Sequence, residues 1–494
     1  MITRLCIEGF KNLRKVDLSF GPLTCVSGRN GVGKSNLFDA LLFLHYLAQT
    51  SIMEAAARVR DPEGRNVDLR SLFYQGRKGS AEKIRFLAEF IVPDRLQDDF
   101  GRTTGPSATF LRYEIQLSYK EEQGTPRLQL DKEELDYIKV GDAKKAIGFA
   151  SSKSFIKSLV RTKRTKKLIE TTADGVIKVS QDRGFDTPEA EKWSGGGRPF
   201  LIPAASTPRT VLANTTSKDL PTVLAARREL QSIMMMQLEP SSLRSPSEFS
   251  APTTLSPTGE NLPSVVERLD MGPQLAGELS NVLHDVRNVF VDRDEGRRLV
   301  TLSIEGKHGI RHPARALSDG TLRFLALAAL QADPLAPRIL CLEEPENGIH
   351  PLRIPAVVDL LERFAVDPSE PVSLENPLRQ VIFNTHSPRV VEQVDPESLV
   401  IVEAIETPEG QETAVYAVPG TWRTERDKDS AWPPAKAEAI GNLMRYLDAP
   451  IPPSETKRRV RDVVDEKKRD LGLKPFQAEL PLASKRKSVK TARD

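Results

Sequence analysis

The chain has 494 residues, of which 28% are charged and 39% hydrophobic, and its formal net charge is +3. This is the balance of an ordinary soluble globular protein, and the length allows two or three domains. No run of roughly 18 or more apolar residues occurs, so no membrane span is expected, and the small net charge does not by itself argue for nucleic acid.

The N-terminus, Met1-Ile2-Thr3-Arg4, lacks the charged-then-apolar layout of a signal peptide. Cys6, Cys25 and Cys341 each lie in apolar, strand-like sequence, so they read as small buried hydrophobes rather than redox or metal groups. A cytoplasmic protein is expected.

Val16, Leu18 and Phe20 alternate with polar residues and, with Leu5 and Ile7, predict a short antiparallel sheet. An apolar run, Leu23 to Val26, then leads into Gly28-Arg-Asn-Gly-Val-Gly-Lys-Ser35, followed by a helix-like stretch from Asn36 to Ala48. Strand, Gly-rich turn and helix N-terminus form the phosphate-loop context, in which free N–H groups face phosphate oxygens. Gly28, Gly31 and Gly33 let the backbone curl around the β-phosphate. Lys34 is expected to reach the β- and γ-oxygens, Ser35 to ligate Mg²⁺, and Asn30 and Asn36 to complete the ATP site.

Strands are predicted at Ile84 to Val92 and Tyr113 to Tyr119, with an inserted subdomain from about Glu121 to Pro221. Within it, Lys153, Lys157, Arg161, Lys163, Arg164, Lys166 and Lys167 occur with no acid between them. This is the candidate DNA-binding segment, through sequence-independent phosphate contacts. A solvated basic face is the competing reading. Leu220 to Leu238 reads as one helix, with Met234 to Met236 as packing residues. Further helices are expected at Leu262 to Leu269 and Gln274 to Val286, and a hairpin at Val289 to Val291 and Leu299 to Ile304.

Leu317-Ser318-Asp319-Gly320-Thr321 precedes another apolar helix, where the hydroxyl and free N–H groups form an anion site. Ile339 to Leu342 is a buried strand ending in Glu343 and Glu344. A carboxylate there is costly unless it faces a cation, so Glu343 is assigned to Mg²⁺ and Glu344 to general-base activation of water. A helix from Pro351 to Phe364 and a strand at Val381 to Phe383 follow, then His386, suited to hold the γ-phosphate. Leu399 to Val402 is one more strand. Beyond Ile405 the sequence turns polar and Pro-rich, with a charged helix expected at Ser454 to Leu471 and a disordered basic tail from Ala483. These elements in this order predict a nucleotide-binding ATPase.

Taken together, Ile7-Glu8-Gly9-Phe10-Lys11, Gly28 to Asn36, the signature from Leu317 and "LEEPENGIHP" from Leu342 resemble the ABC-type ATPase head of the SMC, RecF and OLD group. The signature, the Glu343-Glu344 segment and Ser256 to Leu262 are similar to stand-alone AAA/ABC ATPases of bacterial defence systems, the Septu- and retron-linked type. The resemblance implies an α/β P-loop NTPase of ABC-ATPase type: a mixed central sheet flanked by helices, an antiparallel N-terminal subsheet and an inserted α+β subdomain. It divides the chain into head residues 1–95, insert 96–224, head residues 225–405 and a C-terminal extension 406–494.

It also implies a homodimer, or higher homo-oligomer, that sandwiches ATP and Mg²⁺, with Ser318, Asp319 and Gly320 of one copy completing the site of the other. A partner effector encoded nearby, of which a nuclease is the leading candidate, would receive the output in antiviral defence. A RecF- or SMC-like DNA repair clamp, or an ATP-bound scaffold with little turnover, are the alternatives. Asp319 and Glu343 depart from the commoner glycine and aspartate. Gln75 is the residue weighed for the glutamine loop, without a clear match. Asp427 and Asp429 lie in a polar loop beside Lys428 and follow no buried strand, so no nuclease site is expected in this chain.

Overall fold

The computed structural model describes residues 1–59, 68–164, 166–182, 198–281, 283, 286–425, 436–437 and 469. Strands β1 (Ile2–Phe10), β2 (Leu13–Ser19) and β3 (Leu23–Ser27) lead into helix α1 (Lys34–Leu47). Next come β4 (Lys83–Ile91) and the long hairpin β5 (Phe110–Glu122) and β6 (Thr125–Tyr137). Helix α2 (Lys153–Leu159) and three short strands, β7 (Ile169–Thr171), β8 (Val176–Val179) and β9 (Phe200–Pro203), continue the chain.

Helix α3 (Pro221–Gln231) precedes β10 (Ile233–Met236), then α4 (Leu262–Leu269) and α5 (Gly272–Ser280). The hairpin β11 (Val286–Asp294) and β12 (Leu299–Gly306) leads to helix α6 (Asp319–Ala332) and strand β13 (Ile339–Glu343). Helix α7 (Ile354–Phe364), β14 (Gln380–Thr385), β15 (Leu399–Thr407) and β16 (Gly410–Ala417) complete the core.

Two large sheets organise these elements into a mixed α/β fold of P-loop, ABC-ATPase-like architecture. The first is antiparallel, in the order β9-β8-β7-β6-β5-β4-β1-β2. The second runs β10-β13-β14-β3-β15-β16 and ends on residues 436–437; β10 through β15 are parallel and β16 is antiparallel to β15. A small sheet built on β11 and β12 lies between α5 and α6 in the chain.

The parallel strands are buried on both faces, as crossover helices require. Val26, Cys341, Ile382 and Val400 face a core shared with α1 and the first sheet. Their sequence neighbours Cys25, Leu340, Leu342 and Phe383 face the opposite core, with α6 and α7. Helix α1 therefore lies between the sheets, where the rings of Phe10, Phe43 and Phe86 pack at centroid distances of 5.3–5.9 Å. All three cysteines are buried in strands β1, β3 and β13.

Three expectations change. Leu220 to Leu238 is not one helix: α3 stops at Gln231, and Met234 to Met236 run as β10 beside β13. The run is still packing sequence, with Met236 at 1% exposure. The helix expected to reach Val286 ends at Ser280, because Val286 opens β11. Polar sequence past Ile405 continues the core sheet, since Thr407 and Gly410 close the β15–β16 hairpin. The stretch from Glu121 to Pro221 adds β6 to β9 to the first sheet, while α2 packs Phe155 and Leu159 into a third core with Met1, Ile91 and Phe110. The linker Ser194 to Gly197, Asp427 and Asp429, the helix from Ser454 and the tail from Ala483 lie outside the described residues.

Candidate active site

The C-terminal ends of β3, β10, β13 and β14 open onto one cleft of ≈ 670 Å³. Its lining includes Asn30, Gly31, Gly33, Lys34, Ser35 and Asn36 from the phosphate loop, and Glu343, Glu344, Asn347 and Asn384 from the opposite side. Ligand sites at the carboxyl ends of parallel strands are the rule for this architecture.

Local geometry explains the loop. Gly33 caps α1 at φ 105°, a left-handed conformation, and a Cβ there would meet Thr413 Oγ at 2.3 Å and Asn12 Nδ2 at 2.6 Å. Thr413, on β16, donates its hydroxyl to the Val32 carbonyl at 3.0 Å, and its N–H to the Asn12 carbonyl at 3.0 Å. Asn36 donates to Asn12 Oδ1 at 2.5 Å. The loop is thus clamped from behind by two residues whose sequence gave no motif. Lys34, 6% exposed, folds back onto the carbonyls of Gly28 and Arg29 at 2.6 and 2.9 Å. Burial lowers its ammonium below the usual value, against the opposing pull of Glu344, Glu346 and Glu343.

Glu343 closes β13 and accepts from Gln237 Nε2 at 3.2 Å. Gln237 directly follows β10 and lines the same cleft, whereas Gln75 does not line it. Gln75 sits instead in a two-residue hairpin, bonded to the Arg70 carbonyl at 2.8 Å and to Ser80 at 2.5 Å. Short β10 hid Gln237, because four apolar residues after a helix carry no period of their own. The hydroxyl of Ser35 and the oxygens of Glu343 and Gln237 are hard donors of the kind Mg²⁺ takes.

Glu344 lies past the strand end at φ 46°, a left-handed turn for a non-glycine residue. Its N–H is held by the Asn384 carbonyl at 3.1 Å and Asn384 Oδ1 at 3.0 Å. Its carboxylate meets His386 Nδ1 at 2.6 Å and accepts from Asn347 at 2.8 Å. Burial pushes this carboxyl up, but Asn347, His386 and the Lys34 charge outweigh it and hold it below its ordinary value. His386 does not line the cleft and reaches it through Glu344. Buried Glu346, by contrast, is pushed up by desolvation.

Ser318 is the N-cap of α6, accepting from the Thr321 N–H at 3.3 Å. Gly320 packs against the chain at Gly348, where a Cβ would meet the carbonyl at 2.4 Å. Asp319 points to Arg244 in an ion pair. Ser318 and Gly320 line a second cleft of ≈ 490 Å³ with His350 and Arg353, and the two clefts share no lining residue. One turn along α6, Arg323 reaches the first cleft and donates to the Asn347 carbonyl at 3.0 Å.

In the basic segment, the fold brings acids that the local sequence lacks. Arg161 pairs with Asp94 at 3.4 Å, Arg164 with Asp182 at 3.4 Å and Lys167 with Glu134 at 3.1 Å. Lys153 and Lys157 lie on α2, and Lys163 and Lys166 flank Arg164 in the connection to β7.

Two family models match the chain: one described as "AAA domain" over residues 4–183, the other as "AAA domain, putative AbiEii toxin, Type IV TA system" over residues 238–392. AAA domains bind and hydrolyse ATP. The DNA replication and repair protein RecF of Bacteroides fragilis is 32% identical over 85 residues, 17% of this chain and 22% of that protein. RecF of Bacteroides thetaiotaomicron is 31% identical over 85 residues, with the same shares. The match thus spans about a fifth of these relatives' length. Among solved structures, an SMC head bound to the C-winged helix domain of ScpA is 12% identical, with 84% of this chain and 98% of that chain covered and a TM-score of 0.46. The SMC head domain from Thermotoga maritima is 13% identical over 84% and 98%, with a TM-score of 0.38. At such scores the likeness adds nothing to the strand order described above. Among the described residues, no helix is long and apolar enough to cross a membrane.

Proposed function

We propose that this chain, an AAA/ABC-type ATPase head related to the SMC and RecF fold family, binds ATP with Mg²⁺ and hydrolyses it slowly as a dimer that controls a partner effector. One observation carries the reading. Lys34 and Ser35 from one strand–turn–helix unit share a cleft with Glu343 and Glu344 from another.

In that cleft, Lys34 would leave the Gly28 and Arg29 carbonyls for the β- and γ-oxygens of ATP, beside the N–H groups of the loop. Ser35, Glu343 and Gln237 would hold Mg²⁺, which would supply charge neutralisation on the phosphate oxygens. Glu344 stays ionised and takes a proton from the attacking water, with Asn347 and His386 fixing its two oxygens. His386 then stands behind the base and holds it from outside the cleft.

An effector partner in antiviral defence is supported by the toxin description attached to residues 238–392 and by the resemblance to defence ATPases. A RecF-like clamp on DNA is the second reading, favoured by the 85-residue similarity to RecF. The basic segment lends it little, since three of its cations are paired with acids.

The test measures nucleotide binding and turnover, with and without duplex DNA and after co-purification with products of neighbouring genes. Lys34→Ala is expected to abolish ATP binding. Glu344→Gln is expected to keep binding and lower hydrolysis by roughly 10² or more. Near wild-type binding in Lys34→Ala would remove this cleft as the ATP site. Absence of hydrolysis in every wild-type condition would favour a scaffold that holds ATP.

A further inference from the structure

We propose that Glu346 is a positioning residue for the hydrolytic step, latching the turn that carries His386 to the turn that carries Glu344. The proposal rests on the reading of Glu344 as the base. Strands β13 and β14 are parallel neighbours, paired as far as Glu343 and Asn384. Past that register, two contacts knit their ends together. The Glu344 N–H is held by Asn384, and the hydroxyl of Thr385 donates to Glu346 Oε1. Thr385 Oγ in turn accepts from the Ser387 N–H at 2.9 Å.

Both residues flanking His386 are therefore tied, directly or through one hydroxyl, to the Glu346 carboxyl. His386 is left with its ring 2.6 Å from Glu344. Glu346 itself is 7% exposed and Thr385 fully buried, and neither lines the ATP cleft. Its second oxygen, Oε2, is buried without a hydrogen-bond partner. Packing alone does not account for a carboxyl in such a place, because an apolar side chain would fill the space without the desolvation cost. The hydrogen bond to Thr385 does account for it. Ordered latches of this kind act on the reacting geometry, where small displacements cost rate rather than binding.

The experiment compares Glu346→Gln, Glu346→Leu, Thr385→Val and the double variant Glu346→Leu/Thr385→Val in the full chain. ATP Kd and single-turnover rate are measured for each. Glu346→Gln keeps an acceptor oxygen and is expected to stay within about threefold of wild type. Glu346→Leu and Thr385→Val are each expected to lower the rate by roughly tenfold or more, with Kd within about twofold. The double variant is expected to be no slower than the slower single one, because both remove the same bond.

A wild-type rate in Thr385→Val, or additive losses in the double variant, would overturn the latch. If Glu346→Leu does not fold, Thr385→Val against Glu346→Gln decides alone. A wild-type protein that binds ATP and never cleaves it overturns the latch together with the hydrolytic reading. One that binds no ATP overturns the assignment of the cleft.

Discussion

Glu133 illustrates what single residues hide. In β6 it falls within Asp131-Lys-Glu-Glu134, which reads as a charged solvent face. In the fold it is fully buried, accepting from the N–H groups of Val211 at 2.8 Å and Leu212 at 3.4 Å and from the Tyr113 hydroxyl at 3.1 Å. Burial pushes its carboxyl up to about 7 from 4.5, the backbone and Tyr113 hydrogen bonds notwithstanding. The folded chain therefore holds a proton that the unfolded chain has released between those values. Stability from this group is complete below pH 4.5 and lost as pH rises through about 7. Glu133→Gln removes the titration, so its thermal midpoint should fall less between pH 5 and pH 8 than that of wild type. Parallel curves for the two proteins would show that Glu133 does not titrate in this window. The motif residues were legible because their chemistry demands local neighbours. The partners of Glu133 lie 20 and 78 residues away, and no local pattern reports them.

At the scale of elements, the long ones announced themselves. Alternation marked β1, β2 and β4, and the apolar runs of β3 and β13 followed the rule for buried parallel strands. Elements of three or four residues did not: β7 to β10 are too short to show a period, and Met234 to Met236 read as a continuation of the helix before them. Thr407-Pro-Glu-Gly410 carries the composition of a boundary, whereas it is the tight turn of the β15–β16 hairpin. That hairpin matters to the site. Through Thr413 it holds Val32 and Asn12, and through Asn12 it reaches Asn36. Thr413→Val removes the hydroxyl that fixes the Val32 carbonyl, a bond worth about 1 kcal/mol. Nucleotide titration should show ATP affinity falling by roughly fivefold, with Thr413→Ser retaining it and with the circular dichroism spectrum of both variants unchanged. Equal affinity in Thr413→Val and wild type would mean that the phosphate loop keeps its shape without the hairpin.

For the whole molecule, the order of motifs disclosed the two-sheet ATPase fold, while the geometry adds a constraint on its assembly. Helix α6 presents Ser318 and Gly320 to one cleft and Arg323 to another. Its N-cap dipole and N–H groups, suited to an anion, thus face a cleft that shares no lining residue with that of the phosphate loop. In the proposed dimer, a nucleotide bound by Lys34 meets Ser318 of a second copy, so association is expected to be driven by ATP. Ser318→Arg tests this, because Ser318 is exposed at the mouth of its cleft and a bulky cation there should leave each monomer folded. ATP binding to the separate chain should be intact, while sedimentation with ATP and Mg²⁺ should lose the dimer formed by wild type. Glu344→Gln supplies the reference, since slowed hydrolysis should make that dimer accumulate. Mixing Ser318→Arg with Lys34→Ala chains leaves at most one complete site per pair, so association should recover only in part. If Ser318→Arg lost ATP binding as a monomer, Ser318 would belong to its own chain's site and the two clefts would have to close on each other within one molecule.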